Sequence, residues 1–292
     1  MKIYSHSKLS TFEQCQLKYK FRYIDKIKPD IEETIESHLG SAVHDTLEWI
    51  YNSVKDNPEE VPNLDEIINY YIKVWQRDMS ENILIVKKQF TQKDYLNKGI
   101  QFLADYFQEH YPFKDGTIEC EKEIIIKLDD NTKIKGFIDR LVYNIEEDYY
   151  EIHDYKTANI LPSQEKMNED KQLALYSIAI KEMYGKNKEV VLIWHYLAHN
   201  QKIISKRTEE ELEKLKDETK NLIKEIEQTE NFTPNKSILC GWCEYKSICP
   251  EFNIQLDENL SKNILSKRIN PFPEIQEDKN KKNLDIWDEK PI

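Results

Sequence analysis

At 292 residues, with 39% hydrophobic and 33% charged side chains, the chain has the length for one large domain or two small ones and enough apolar residues for a sizeable core. Its formal net charge of −12 counts against a broadly basic nucleic-acid coat and leaves only a locally basic cleft open. No apolar run approaches the roughly 18 residues of a membrane helix and no signal-peptide core opens the chain, so it reads as cytoplasmic; an odd count of five cysteines then argues against a closed disulfide set and for metal binding.

In chain order, Ser10 or Thr11 is placed to cap a helix through Phe12, Cys15, Tyr19 and Tyr23, which recur at helical spacing. Lys18, Lys20, Arg22 and Lys26 make this a basic patch, and Cys15 taken alone reads as a small buried hydrophobe. A second helix runs from Gly40-Ser41-Ala42-Val43-His44 into Leu47, Trp49 and Ile50, with His44 either a structural residue or a ligand. A loop over 56–63 precedes helical stretches at 64–78 and 81–110, closed by Pro112 and Gly116.

Three strands follow at 117–128, 132–144 and 148–157, the first two joined by the turn Asp129-Asp130-Asn131. Glu121 and Glu123 share a face of the first, where either one reaches the Asp139 site or both face solvent. The second and third carry Gly136-Phe137-Ile138-Asp139 and Asp154-Tyr155-Lys156-Thr157. Residues i and i+2 of a strand share a face, so Asp154 and Lys156 point the same way. Carboxylates converging from neighbouring strands hold a hard divalent cation, and a lysine beside it orients water or neutralises a phosphate. The plainer reading is a surface Asp–Lys pair on an edge strand.

A helix over 164–184 sets Gln172 and Tyr176 on one face, four residues apart. A strand from Val190 to Leu197 pairs with Gln201 to Lys206, and 208–229 is a charged, solvated helix. Cys240, Cys243 and Cys249 stand in a C-x2-C-x5-C pattern, which suits zinc or an iron–sulfur cluster and lacks a local fourth ligand. From about residue 255 the chain turns polar and reads as a largely disordered tail; Leu284, Ile286 and Trp287 make it either inert or a docking motif for a protein partner.

This set of residues resembles the RecB-like branch of the PD-(D/E)XK nuclease superfamily, and within it the iron–sulfur nucleases of the AddB-type and CRISPR-adaptation kinds. The resemblance spans about residues 5–252. It rests on Ser7-x-Leu9 with Cys15 and Tyr19, Gly40-x3-His44, Gly136-x2-Asp139, Asp154-Tyr155-Lys156-Thr157, Gln172-x3-Tyr176, and the three clustered cysteines before Pro250. It implies an α/β fold with a mixed central sheet flanked by helices and a C-terminal iron–sulfur segment. The implied organisation is one nuclease domain over 1–254, with a helical part to about 112, a core over about 117–230 and a cysteine segment over 236–252.

The resemblance further implies a 4Fe–4S cluster on Cys15, Cys240, Cys243 and Cys249. It implies an Mg²⁺ or Mn²⁺ site on His44, Asp139, Asp154 and the Tyr155 carbonyl, with Lys156 catalytic and Gln172 and Tyr176 either supporting the lysine or touching the nucleic acid. Cys120 matches no ligand position and reads as core. The implied activity is hydrolysis of DNA, at single-stranded ends, in repair, recombination or CRISPR adaptation. No Walker motif accompanies it. Two other classes remain beside it: a non-catalytic nucleic-acid-binding subunit, and a zinc-stabilised structural protein.

Overall fold

The computed structural model describes residues 2–29, 31, 33–80 and 82–252. The expected polar tail from 255, with Leu284, Ile286 and Trp287, lies outside the described residues. A short strand β1 (Lys2–Tyr4) leads into α1 (His6–Gln14). Ser5, not Ser10 or Thr11, caps α1: its side chain accepts the Lys8 amide at 3.2 Å. Inside the helix Thr11 instead donates back to the Ser7 carbonyl at 2.8 Å, the usual fate of a helix-interior threonine. Cys15 breaks the helix with an extended backbone. The chain restarts as α2 (Gln16–Tyr19) and a wide π-turn (Lys20–Ile24).

A two-residue strand β2 (Glu33–Thr34) precedes the long α3 (Ile35–Asp56), followed by α4 (Leu64–Arg77), β3 (Ile83–Leu84) and α5 (Gln92–His110). A helix was expected from 81; instead β3 pairs with β2, and α5 begins only where Thr91 and Asp94 form a capping box. The remaining elements are β4 (Thr117–Lys127), β5 (Thr132–Asn144), β6 (Tyr149–Lys156), α6 (Gln164–Asn168), α7 (Gln172–Tyr184), β7 (Glu189–Tyr196), β8 (Gln201–Ser205) and α8 (Glu209–Gln228). The expected continuous helix over 164–184 is divided. Arg207 pins the Met167 and Asp170 carbonyls, and the Asp170 carboxylate takes the amides of Gln172 and Leu173 to restart the helix.

The fold is α/β. A mixed six-stranded sheet runs β1-β5-β6-β7-β8, with β4 also on β5. On one face α7, α8 and α1 bury Ile134, Ile138, Leu141, Ile152 and Trp194; on the other α3, α4 and α5 cover Tyr155. The feature that positions the site is a fork along β5. β1 pairs in parallel with 132–134, and β6 pairs antiparallel with 140–144. Because β4 occupies the opposite edge over the same residues, β1 and β6 follow one another along a single edge. Between them residues 135–139 have no ladder partner on that edge, and Asp139 stands at the point where β6 leaves.

Candidate metal centre and nuclease site

The fork gathers the expected residues. At the departing end of β6, the Tyr155 amide donates to Asp139 Oδ2 at 2.9 Å. The strands therefore part around a carboxylate instead of ending on an unmet amide. α3 crosses this end and places His44 over it. His44 Nε2 lies 2.7 Å from the Tyr155 carbonyl and Nδ1 lies 3.3 Å from Asp139 Oδ2. Gly40, one turn earlier, lies beside Thr157, with room for a Cβ at an ordinary 3.5 Å from its hydroxyl.

Along β6, alternation brings Asp154 and Lys156 to the same face. Lys156 Nζ meets the two Asp154 oxygens at 3.0 and 2.8 Å and the Gln172 carbonyl oxygen at 3.3 Å. Tyr176, one turn beyond Gln172, packs its ring on Gly136, where a Cβ would come within 2.5 Å of a ring carbon. Asp139 and Asp154 are both buried. Burial pushes the Asp139 carboxyl up to about 6, with the neighbouring Asp154 charge adding and His44 opposing. Burial works against the Lys156 charge, yet Asp154 and Asp139 outweigh it and hold the ammonium above its ordinary range.

Two residues on these elements escaped the sequence reading. His6, at the start of α1, shares a small pocket with Ser5, Ser7, Gly136 and Gln172, and burial with the Lys156 charge pushes its imidazole down to about 4. Asp170 lies within reach of Asp154 and Lys156 and is raised, chiefly by burial. Neither sits in a pattern that the sequence marks. Glu121 and Glu123, expected on one face, are parted by a left-handed backbone at Glu121, φ 46°. Glu123 turns to Lys135 at 3.2 Å, while Glu121, His44 and Asp139 bring their ligand atoms within 4.8 Å of one another.

The model for the PD-(D/E)XK nuclease superfamily matches residues 3–250. The chain belongs to the PD-(D/E)XK nuclease superfamily. No curated protein matches it. Among solved structures, one described as "Crystal structure of SSO0001" is similar at 15% identity with a TM-score of 0.35, covering 64% of this chain and 94% of that chain. Membership makes the chain a nuclease-type hydrolase of a superfamily that works with divalent metal, and it makes nucleic acid the substrate class.

The residues of this PD-(D/E)XK site fit a divalent cation on three counts. His44 sets its two ring nitrogens beside the Tyr155 carbonyl and Asp139 Oδ2, so an imidazole, a carbonyl and a carboxylate meet at one place. Asp139 and Asp154 are two buried carboxylates close enough for the charge of one to raise the other, with Lys156 as the cation at Asp154. The donor set of carboxylates, a carbonyl and one imidazole suits Mg²⁺ or, with the nitrogen, Mn²⁺.

The cysteines lie elsewhere. Cys15, Cys240, Cys243 and Cys249 line a common pocket of about 60 Å³ with Leu17, Phe21 and Tyr245. The Asn235 and Ser237 amides donate to Cys15 and Cys240 sulfurs, each at 3.4 Å. The segment is tied to the N-terminal helices by Leu17 to the Thr233 carbonyl at 3.1 Å, Asn235 to the Gln14 carbonyl at 2.9 Å, and Tyr245 to the Ile27 carbonyl at 3.1 Å. Among the described residues the four sulfurs do not close to the mutual distances that the His44 group reaches. Cys120 is half-buried against the α3–α5 core. The basic patch at 18–26 is offset by acids: Lys18 pairs with Glu244 at 2.9 Å and Lys20 with Asp25. Among the described residues no helix is long and apolar enough to cross a membrane.

Proposed function

We propose that the chain is a Mg²⁺- or Mn²⁺-dependent deoxyribonuclease of the RecB-like branch, acting on single-stranded ends in repair, recombination or CRISPR adaptation. The observation that carries this reading is the fork itself. It draws His44, Asp139, Asp154 and Lys156 from three separate elements onto one point, with Gln172 holding the lysine. On this reading His44, Asp139, Asp154 and the Tyr155 carbonyl hold the metal, which when bound lowers the pKa of a water and neutralises phosphoryl charge.

The chain's own groups do the rest. Lys156, kept charged by Asp154, offers its ammonium to the water or to the non-bridging oxygen of the scissile phosphate. Gln172 accepts from Lys156 and fixes its direction, and Tyr176 packs α7 on Gly136 within β5. Asp139 takes the Tyr155 amide and so fixes the carbonyl on the same residue toward His44. The preference for single-stranded DNA ends, the RecB-like placement and the pathway rest on the sequence resemblance.

The same reading assigns a 4Fe–4S cluster to Cys15, Cys240, Cys243 and Cys249, within one nuclease domain over residues 1–254. What supports it is four sulfurs lining one pocket across the two ends of the domain, with amide donors to two of them. A cluster there would staple the N-terminal helices to the segment after α8.

The test is anaerobic purification, iron and visible absorption, then a Mn²⁺ assay on end-labelled single- and double-stranded DNA. Brown, iron-loaded protein that shortens single strands only with added metal supports the proposal. Colourless protein with zinc removes the cluster. An iron-loaded protein that binds DNA without cutting it in Mg²⁺ or Mn²⁺ makes the chain a non-catalytic subunit.

A further inference from the structure

We propose that His6 is a further substrate-contacting residue, whose imidazole N–H holds a non-bridging oxygen of the phosphate next to the scissile one. The inference deepens the nuclease reading above and rests on it. It starts from the gap along β5. The Lys2 amide donates to the Asn131 carbonyl at 2.7 Å, so alternation turns the backbone groups of the odd-numbered residues that follow toward the β1 edge. β1 stops at Tyr4, opposite Ile134, and β6 joins only at Arg140. The Phe137 amide and carbonyl therefore face that edge with no ladder partner among the described residues.

Ser5, His6 and Ser7 close over this gap and, with Phe137 and Gln172, line a cavity of about 20 Å³. That is room for one water-sized group, hence for a single oxygen and not for a base. Its lining is rich in donors. Gln172, 6% exposed, gives its carbonyl oxygen to Lys156, which leaves its amide nitrogen with no acceptor among the described residues. His6 likewise makes no hydrogen bond or ion pair among them. Burial and the Lys156 charge lower its imidazole, against Glu13 and Asp154, so the ring is neutral and keeps one N–H to give. No carboxylate lines the cavity, and the one charged residue that does is Lys135. Donors gathered without an acceptor suit an anionic oxygen. Gln172 decides which phosphate supplies it. Its carbonyl oxygen holds Lys156, the lysine of the scissile group, while Asp139, Asp154 and Lys156 stay outside the cavity lining. The oxygen beside His6 thus belongs to the neighbouring phosphate of the strand.

The experiment follows cleavage of end-labelled single-stranded DNA by the full chain in Mn²⁺. One set of strands is unmodified; the others carry a single methylphosphonate, which lacks the negative oxygen, one linkage before or after the cleaved bond. His6→Ala removes the ring, and His6→Leu removes the N–H while filling the space, which guards against a packing defect. Both variants should lose kcat/KM on unmodified DNA roughly ten- to hundredfold, the worth of one hydrogen bond to a charged oxygen, with Mn²⁺ binding and melting unchanged. On one side of the cleaved bond the methylphosphonate should cost the wild type a similar factor and cost either variant nothing further, because both changes remove the same contact. Wild-type cleavage by both variants overturns the assignment and leaves the nuclease standing. So do losses that multiply in full on both sides, which would mean that His6 only orders a water in the cavity. A wild-type protein that cuts no strand overturns the nuclease reading and this contact with it.

Discussion

Replacing Asp139 by asparagine tests the electrostatics of the site apart from its chemistry. In the metal-free protein Asp139 is a buried carboxylate close to Asp154, and its carboxyl is raised from 3.8 to about 6. A folded-state value above the unfolded one contributes stability that is fully present below about 4 and is lost as pH rises through about 6. The size of that loss, for a change from 3.8 to about 6, is about 3 kcal/mol. The substituted asparagine has nothing to ionise, and its side-chain oxygen still accepts the Tyr155 amide. Urea unfolding in chelator should therefore show the stability difference, Asp139→Asn minus wild type, growing by about 2–3 kcal/mol between pH 4 and pH 8. Titrations of groups that Asp139 does not touch, Asp170 among them, cancel in that difference, and the charges of His44 and Asp154 already enter the Asp139 value. With Mn²⁺ added the order at pH 8 should reverse, because binding stabilises only the protein that keeps the ligand. A difference that stays constant with pH, or a variant that loses ground at pH 8 in chelator, would refute the argument that ionising this buried carboxylate costs stability.

Lys156→Ala should lower turnover roughly 10²- to 10³-fold, the cost of removing one aimed charge stabiliser, while calorimetry shows Mn²⁺ binding retained; normal turnover would rule out the lysine's role. Cys243→Ala should lose iron, visible absorption and melting temperature together, since cluster binding is folding free energy, whereas Cys120→Ala keeps its iron; the opposite pattern would reassign the ligands. Gly136→Ala should destabilise by about 1–3 kcal/mol in urea, because its Cβ would lie 2.5 Å from the Tyr176 ring, and a neutral result would mean that the ring moves aside freely.

Much of the framework was legible because it is written in local periodicity. The three strands expected at 117–128, 132–144 and 148–157 fold as Thr117–Lys127, Thr132–Asn144 and Tyr149–Lys156, and the shared face of Asp154 and Lys156 follows from their spacing. What the sequence hid depends on distant partners. The break before Gln172 comes from Arg207 reaching the Met167 and Asp170 carbonyls, some forty residues away in sequence. β4 reads as an ordinary alternating strand, so nothing local announces a left-handed Glu121. His6 becomes part of the site only because β1 docks on β5 and carries the start of α1 to the fork.

The opposite face of β6 explains why the fork keeps its place. There Arg140, itself buried, donates to His153 Nδ1 at 2.8 Å, and its guanidinium lies 4.1 Å from the Tyr51 ring. A guanidinium only donates, so His153 Nδ1 is an acceptor and its proton sits on Nε2, 2.8 Å from Glu151. His195 Nε2, also 2.8 Å from His153 Nδ1, must then donate. Burial holds both imidazoles well below their ordinary range and therefore neutral. Tyr106 links Tyr51 at 2.7 Å to Tyr155 at 3.3 Å. An apolar layer would tolerate sliding, but here Arg140 and His195 both converge on His153 Nδ1, whose own ring proton goes to Glu151. A slip of β6 by one residue along β5 would separate these partners and carry Asp154 and Lys156 to the wrong face. The polar layer on one side of β6 thus fixes the register that the metal-binding side requires.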